Sequence, residues 1–141
     1  MNQEQRDKIA RLEAVLKQHG KEGLGNFHHF DHGVYQRGGT IKAGTVATGA
    51  VHLAAGVFVL AKGTLALYTE DGVEVHEAPW CTVTQPLTKR VMYAVTDCVL
   101  IAILETDETT PEAVEARYTV PDYEALEHIN RDTKEIVCPS S

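Results

Sequence analysis

Imidazole ligates divalent metals and exchanges protons near neutral pH, so the histidines are the first place to look for chemistry. Three of them, His28, His29 and His32, crowd the segment HHFDHG. Adjacent residues of an extended chain point to opposite faces, so His28 and His29 do not converge, and a histidine cluster without chelating geometry is expected. His52 stands alone in a stretch from Ala43 to Ala61 that holds no formally charged side chain. It reads either as a satisfied core histidine or as a lone acid or base in a pocket. Arg90 offers a cation that could cap a carboxylate, or else a solvated strand end. Tyr35 and Tyr93 fit core or interface positions better than catalytic phenols. The segment GKEGLG has the wrong spacing for a phosphate loop, and neither a G-x-S-x-G elbow nor an H-E-x-x-H helix occurs.

Composition narrows the classes further. Cys81, Cys98 and Cys138 are odd in number and form no C-x-x-C pair, which suits neither a disulfide framework nor a zinc ribbon. The chain carries 13 basic and 20 acidic residues, a formal charge of -7. Residues 1–104 hold ten of each sign, and residues 105–141 hold ten acids against three bases, so the whole excess lies in the C-terminal quarter. A neutral body with an acidic tail gives no footprint for nucleic acid, which demands clustered Lys and Arg. The start, MNQEQRDK, is too polar for a signal peptide. The uncharged stretch 43–61 is about long enough to cross a bilayer. Its glycines, threonines and His52 divide it into two β-rich runs, and no membrane span is expected.

The elements that would position these residues are mostly strands. The 141 residues allow one compact domain with terminal arms. Ile9, Leu12, Val15 and Leu16 mark one face of a helix over 3–19, ended by Gly20; its short apolar stripe, with no evident partner in the chain, makes it an arm packed on the body or on a partner. The following stretch through Gly33 reads as a loop. Beyond it, runs rich in Val, Thr, Ile, Leu and Tyr predict strands at 34–37, 45–51, 57–61, 64–69, 73–77, 82–84, 90–94 and 98–105. Asp71-Gly72 marks a hairpin, while Pro79 and Pro86 fall where strands should end. Thr110-Pro111 reads as a cap and first turn of a helix, and a second short helix is expected from Asp122 through His128. Eight short strands at this spacing indicate an all-β sandwich or barrel.

The stretch AGTVATGAVHLAAGVFVLAKGTLALYTEDG resembles the first motif of small single-domain cupins, a jelly-roll family, especially those encoded by bacteriophages. The matching features are Ala43-Gly44, His52, Lys62-Gly63 and Glu70-Asp71-Gly72. EAPWCTVTQPLTKRVMYAVTDCVL resembles the second half of the motif, and HHFDHGVYQR the segment that precedes it. The resemblance covers residues 27–108 best, as the jelly-roll body, and the tail more loosely; it does not explain the helical arm at 1–26, and the acidic arm takes 109–141. The family's metal site takes two histidines and a glutamate from the first motif and a histidine from the second. Laid on this chain with Gly44 and Gly63 kept, those positions fall on Ala50, His52, Gly56 and Val91. One imidazole does not hold a catalytic ion, so no metal and no other cofactor is expected, and His52, Arg90 and Tyr93 are left as a vestigial pocket.

Two functions follow from that resemblance. The first is a non-enzymatic structural protein of a phage virion, a capsid decoration or cement protein. It would self-associate into a homodimer or higher oligomer and clamp coat subunits from outside, passing from the host cytoplasm to the capsid exterior. The second is a cupin-type small-molecule binder or residual metal-dependent enzyme. The lining of the barrel separates them, because convergent polar groups favour a ligand and apolar side chains favour a filled scaffold. Around His52 the inward candidates are Val, Ala, Leu and Phe58, which favours the scaffold.

Overall fold

A computed structural model describes residues 2–19, 27–69 and 71–122. Helix α1 (Gln3–His19) precedes the strands β1 (Phe27–Asp31), β2 (Val34–Ile41), β3 (Val46–Thr48), β4 (Val51–His52), β5 (Gly56–Lys62) and β6 (Thr64–Thr69). After the hairpin come β7 (Gly72–Glu77), β8 (Trp80–Thr84), β9 (Val91–Ala94), β10 (Cys98–Glu105), α2 (Pro111–Tyr118) and β11 (Thr119–Val120). The expected strands are present, with the run at 45–51 split by Gly49-Ala50 and the run at 34–37 extended to Ile41. The helix expected from Asp122 to His128 lies outside the described residues except at Asp122.

The strand pairs nest. β6 pairs with β7, β5 with β8, β3 with β9 and β2 with β10, all antiparallel, and His52 of β4 bridges Thr88 within the same series. These strands thus form one long hairpin, folded between β6 and β7 and rolled up. Further pairing of β10 with β5 and of β9 with β6 fuses the roll into two sheets, ordered β1-β2-β10-β5-β8 and β3-β9-β6-β7. This is a jelly roll. Leu60, Leu65 and Ala94, all fully buried, lie in the apolar core along with Phe58 and Leu100.

Glycine is required at two turns. Gly63, between β5 and β6, takes φ +94 and leaves no room for a Cβ against the carbonyl of Asp97. Gly44 takes φ +84 with nothing near it. These are the two glycines that the family resemblance retained.

Three expectations change. The loop before Val34 contains β1, which pairs with β2 across the turn His32-Gly33, both at positive φ (48° and 77°). Such a two-residue turn matches the strand twist, and stacking of Phe30 on Tyr35 at 4.2 Å holds the hairpin where no apolar alternation marks it. Helix α1 has a partner in the chain: Ile9 is 3% exposed, and Glu13 forms an ion pair with the buried ammonium of Lys89. Residues 109–122, read as the start of an arm, are tied to the body. Thr110 caps α2 by accepting from Ala113 N at 3.2 Å, and β11 pairs with β4 through Thr119–His52 and Val120–Val51. Among the described residues no helix is long and apolar enough to cross a membrane.

Candidate functional site

The site residues are placed by strand parity. In β8 the sequence WCTVT turns Trp80, Thr82 and Thr84 inward and leaves Cys81 and Val83 exposed. In β7 the parity is reversed from that of a core strand. Glu74 and His76 lie opposite the buried Leu67 and Leu65 of β6 and share their side of the sheet, with side chains 53% and 24% exposed, while Val73 and Val75 face outward, 67% and 59% exposed. Burial of an apolar face normally sets a strand's register the other way.

A cavity of about 320 Å³ has Leu67, Glu74, Trp80, Thr82, Thr84 and Arg90 among its walls. Arg90 is not a solvated strand end. Its guanidinium lies 4.2 Å over the ring of Phe58 and donates from Nη2 to Thr84 Oγ1 at 2.8 Å. Burial alone brings its pKa down to about 10. His76 stacks on Trp80 with centroids 3.8 Å apart and bonds through Nε2 to Glu74 Oε2 at 3.2 Å. The expected lining of Val, Ala and Leu is therefore corrected. It came from strands near His52, whereas β7 and β8 supply the polar walls.

The three residues read as one pocket are not brought together. Arg90 lines the cavity, and His52 and Tyr93 do not. His52 is half-buried, its backbone donating to Thr88 O at 2.8 Å. Burial first, then the positive charges of Arg90 and Arg37, hold its imidazole below the ordinary histidine range. Tyr93 is 44% exposed on the outer face of β9, whose inward residues are Met92 and Ala94. Tyr35 is core, 4% exposed, with its hydroxyl 2.6 Å from His28 Nδ1. His28 and His29 sit at successive positions of β1, on opposite faces.

The residues present do not fit the metal that the resemblance implies. Ala50 offers no donor and His52 stands outside the cavity. Val91 shares the outward parity of Tyr93. A Cβ on Gly56 would come within 2.7 Å of Ile103 O. Among the described residues no group of three or more His, Cys, Asp or Glu side chains could hold an ion. Installing Ala50→His, Gly56→Glu and Val91→His together is therefore expected to give no zinc or nickel site by titration calorimetry. Tight stoichiometric binding by that variant, absent in the parent, would refute the placement.

No family model matches the chain, and no curated protein matches it. Solved structures similar in fold include a cupin-2 domain containing protein from Shewanella frigidimarina, 11% identical over 67% of this chain and 91% of that one, with a TM-score of 0.47. Ectoine synthase from P. lautus is 16% identical over 63% of this chain and 65% of its own, with a TM-score of 0.48. The cupin_2 domain of an XRE family transcriptional regulator from Enterobacter cloacae is 8% identical over 54% of this chain and 84% of its own, at 0.45.

Proposed function

We propose that this chain is a cupin-type jelly roll that binds a small molecule in the cavity between its sheets, without a resident metal and without turnover. The observation that carries the reading is the convergence of Glu74, Thr82, Thr84 and Arg90 on one cavity, with His76 behind Glu74 as its hydrogen-bond partner. A purely structural sheet needs no such convergence of a carboxylate, hydroxyls and a guanidinium on one cavity, whereas a ligand site does. The volume of about 320 Å³ is at the small end of the range for ligand pockets.

The reversed parity of β7 supports self-association. Val46, Tyr93, Ala66 and Val75 form one cross-strand row on the outer face of the β3-β9-β6-β7 sheet, and Thr48, Val91, Tyr68 and Val73 form the next. Neither row contains a charge, so a second copy can lie on this face without repulsion, and Tyr93 supplies an amphipathic anchor at its middle. A capsid decoration role would use the same outer face but gives the polar cavity no work, and it stands as the alternative.

Native mass spectrometry of the purified protein is expected to show a dimer or higher oligomer, with a small organic adduct per chain. A bare monomer at high micromolar concentration, with no member of a metabolite library raising its melting temperature, would overturn both parts of the reading.

A further inference from the structure

Arg90 has an unusual electrostatic position. Among the described residues its guanidinium has no carboxylate partner: its side-chain contacts are the Thr84 hydroxyl and the Phe58 ring. The other cation on the cavity wall, Lys89, is spoken for, since its ammonium meets Glu13 and donates to Pro121 O at 2.8 Å. The wall carboxylate, Glu74, is engaged with His76. A partly desolvated guanidinium without a counter-charge is costly, and the cost is relieved by an anion that accepts its remaining N–H groups. Stacking on Phe58 fixes the plane of the fork, and the bond to Thr84 fixes its rotation, so the donors are oriented before any ligand arrives.

We infer that the cavity takes a small organic monocarboxylate, its carboxylate paired with Arg90 and its apolar part directed along Trp80 and Leu67. This rests on the small-molecule reading of the cavity. A single unpaired cation in a cavity that Glu74 also lines suits one negative charge better than two, which favours a carboxylate over a phosphate ester. The Thr82 and Thr84 hydroxyls supply further polar partners near the anion.

Trp80 is the chain's only tryptophan and lies in the cavity wall, so its fluorescence reports occupancy directly. The test titrates the intact protein with benzoate, with its neutral isostere benzamide, and with inorganic phosphate. Benzoate is expected to change the Trp80 emission saturably and to bind about tenfold or more tighter than benzamide, as loss of a charge-assisted pair implies. Arg90→Lys should keep part of that preference, and Arg90→Met should abolish it. Thr84→Val, which frees the guanidinium without removing it, should weaken benzoate more than benzamide. Equal binding of benzoate and benzamide by the unaltered protein would overturn the carboxylate assignment while leaving the cavity reading in place. Phosphate binding tighter than benzoate would also overturn it. If a broad panel of neutral and anionic compounds leaves Trp80 unchanged, the cavity reading itself falls.

Discussion

Gly63→Ala is expected to lower the stability of the fold by about 3 kcal/mol or more, combining backbone strain with overpacking. The backbone at Gly63 takes φ +94, a conformation that costs an L-residue with a Cβ about 1–2 kcal/mol. The added methyl would also press on the Asp97 carbonyl and come within 2.9 Å of both Cys98 Sγ and Thr96 Oγ1. None of these can move cheaply. Thr96 Oγ1 accepts from Thr64 N at 2.9 Å, Cys98 is 1% exposed, and the Gly63 carbonyl accepts from Ala78 N at 2.9 Å. Gly44→Ala provides the control, because Gly44 shares the positive φ without neighbours and should lose only the backbone part, about 1 kcal/mol. Urea unfolding of the two variants checks this. If they lose equal stability, close packing at Gly63 is not what requires glycine there.

The retained pair of glycines shows why the fold was legible in the sequence while the site was less so. Turn chemistry and apolar runs are local signals, and they located the strands that form the nested hairpin. Strands without such a signal were missed. β1 reads FHHFD, with no apolar alternation, and is held by Tyr35 stacking and the His32-Gly33 turn. β11 is two residues long and exists through its pairing with β4. The cavity was missed for a different reason. Alternation in VEVH gives two faces but not which one looks inward, and only the pairing with Leu65 and Leu67 decides it. Family spacing points to Ala50, Gly56 and Val91, away from the strands that carry the polar wall. The alternation in WCTVT was readable, however, and would have put Trp80 and both threonines on one face.

Lys89 is the least legible feature and leads to the other large expected effect. In the sequence it is one base of the pair Lys89-Arg90, yet its side chain is 1% exposed. It ties together three segments: α1 through Glu13, the segment before β9 that carries Lys89 itself, and the chain after β11 through Pro121 O. Glu13→Ala leaves a buried ammonium with only a neutral carbonyl for company. Breaking such a pair from one side typically costs about 3–5 kcal/mol, because the surviving charge is uncompensated. Lys89→Met added to Glu13→Ala removes that charge and should recover much of the loss, since an apolar replacement of a buried pair is often neutral. Deleting residues 1–20 should resemble Glu13→Ala in stability, even though it removes a segment that reads from sequence as an arm. It should also disturb the cavity, because Lys89 and Arg90 are neighbours on its wall. Chemical denaturation of the single and double variants decides the matter. A Glu13→Ala variant as stable as the parent, or a double variant no better than Glu13→Ala, would mean that α1 does not hold the body together through this ammonium.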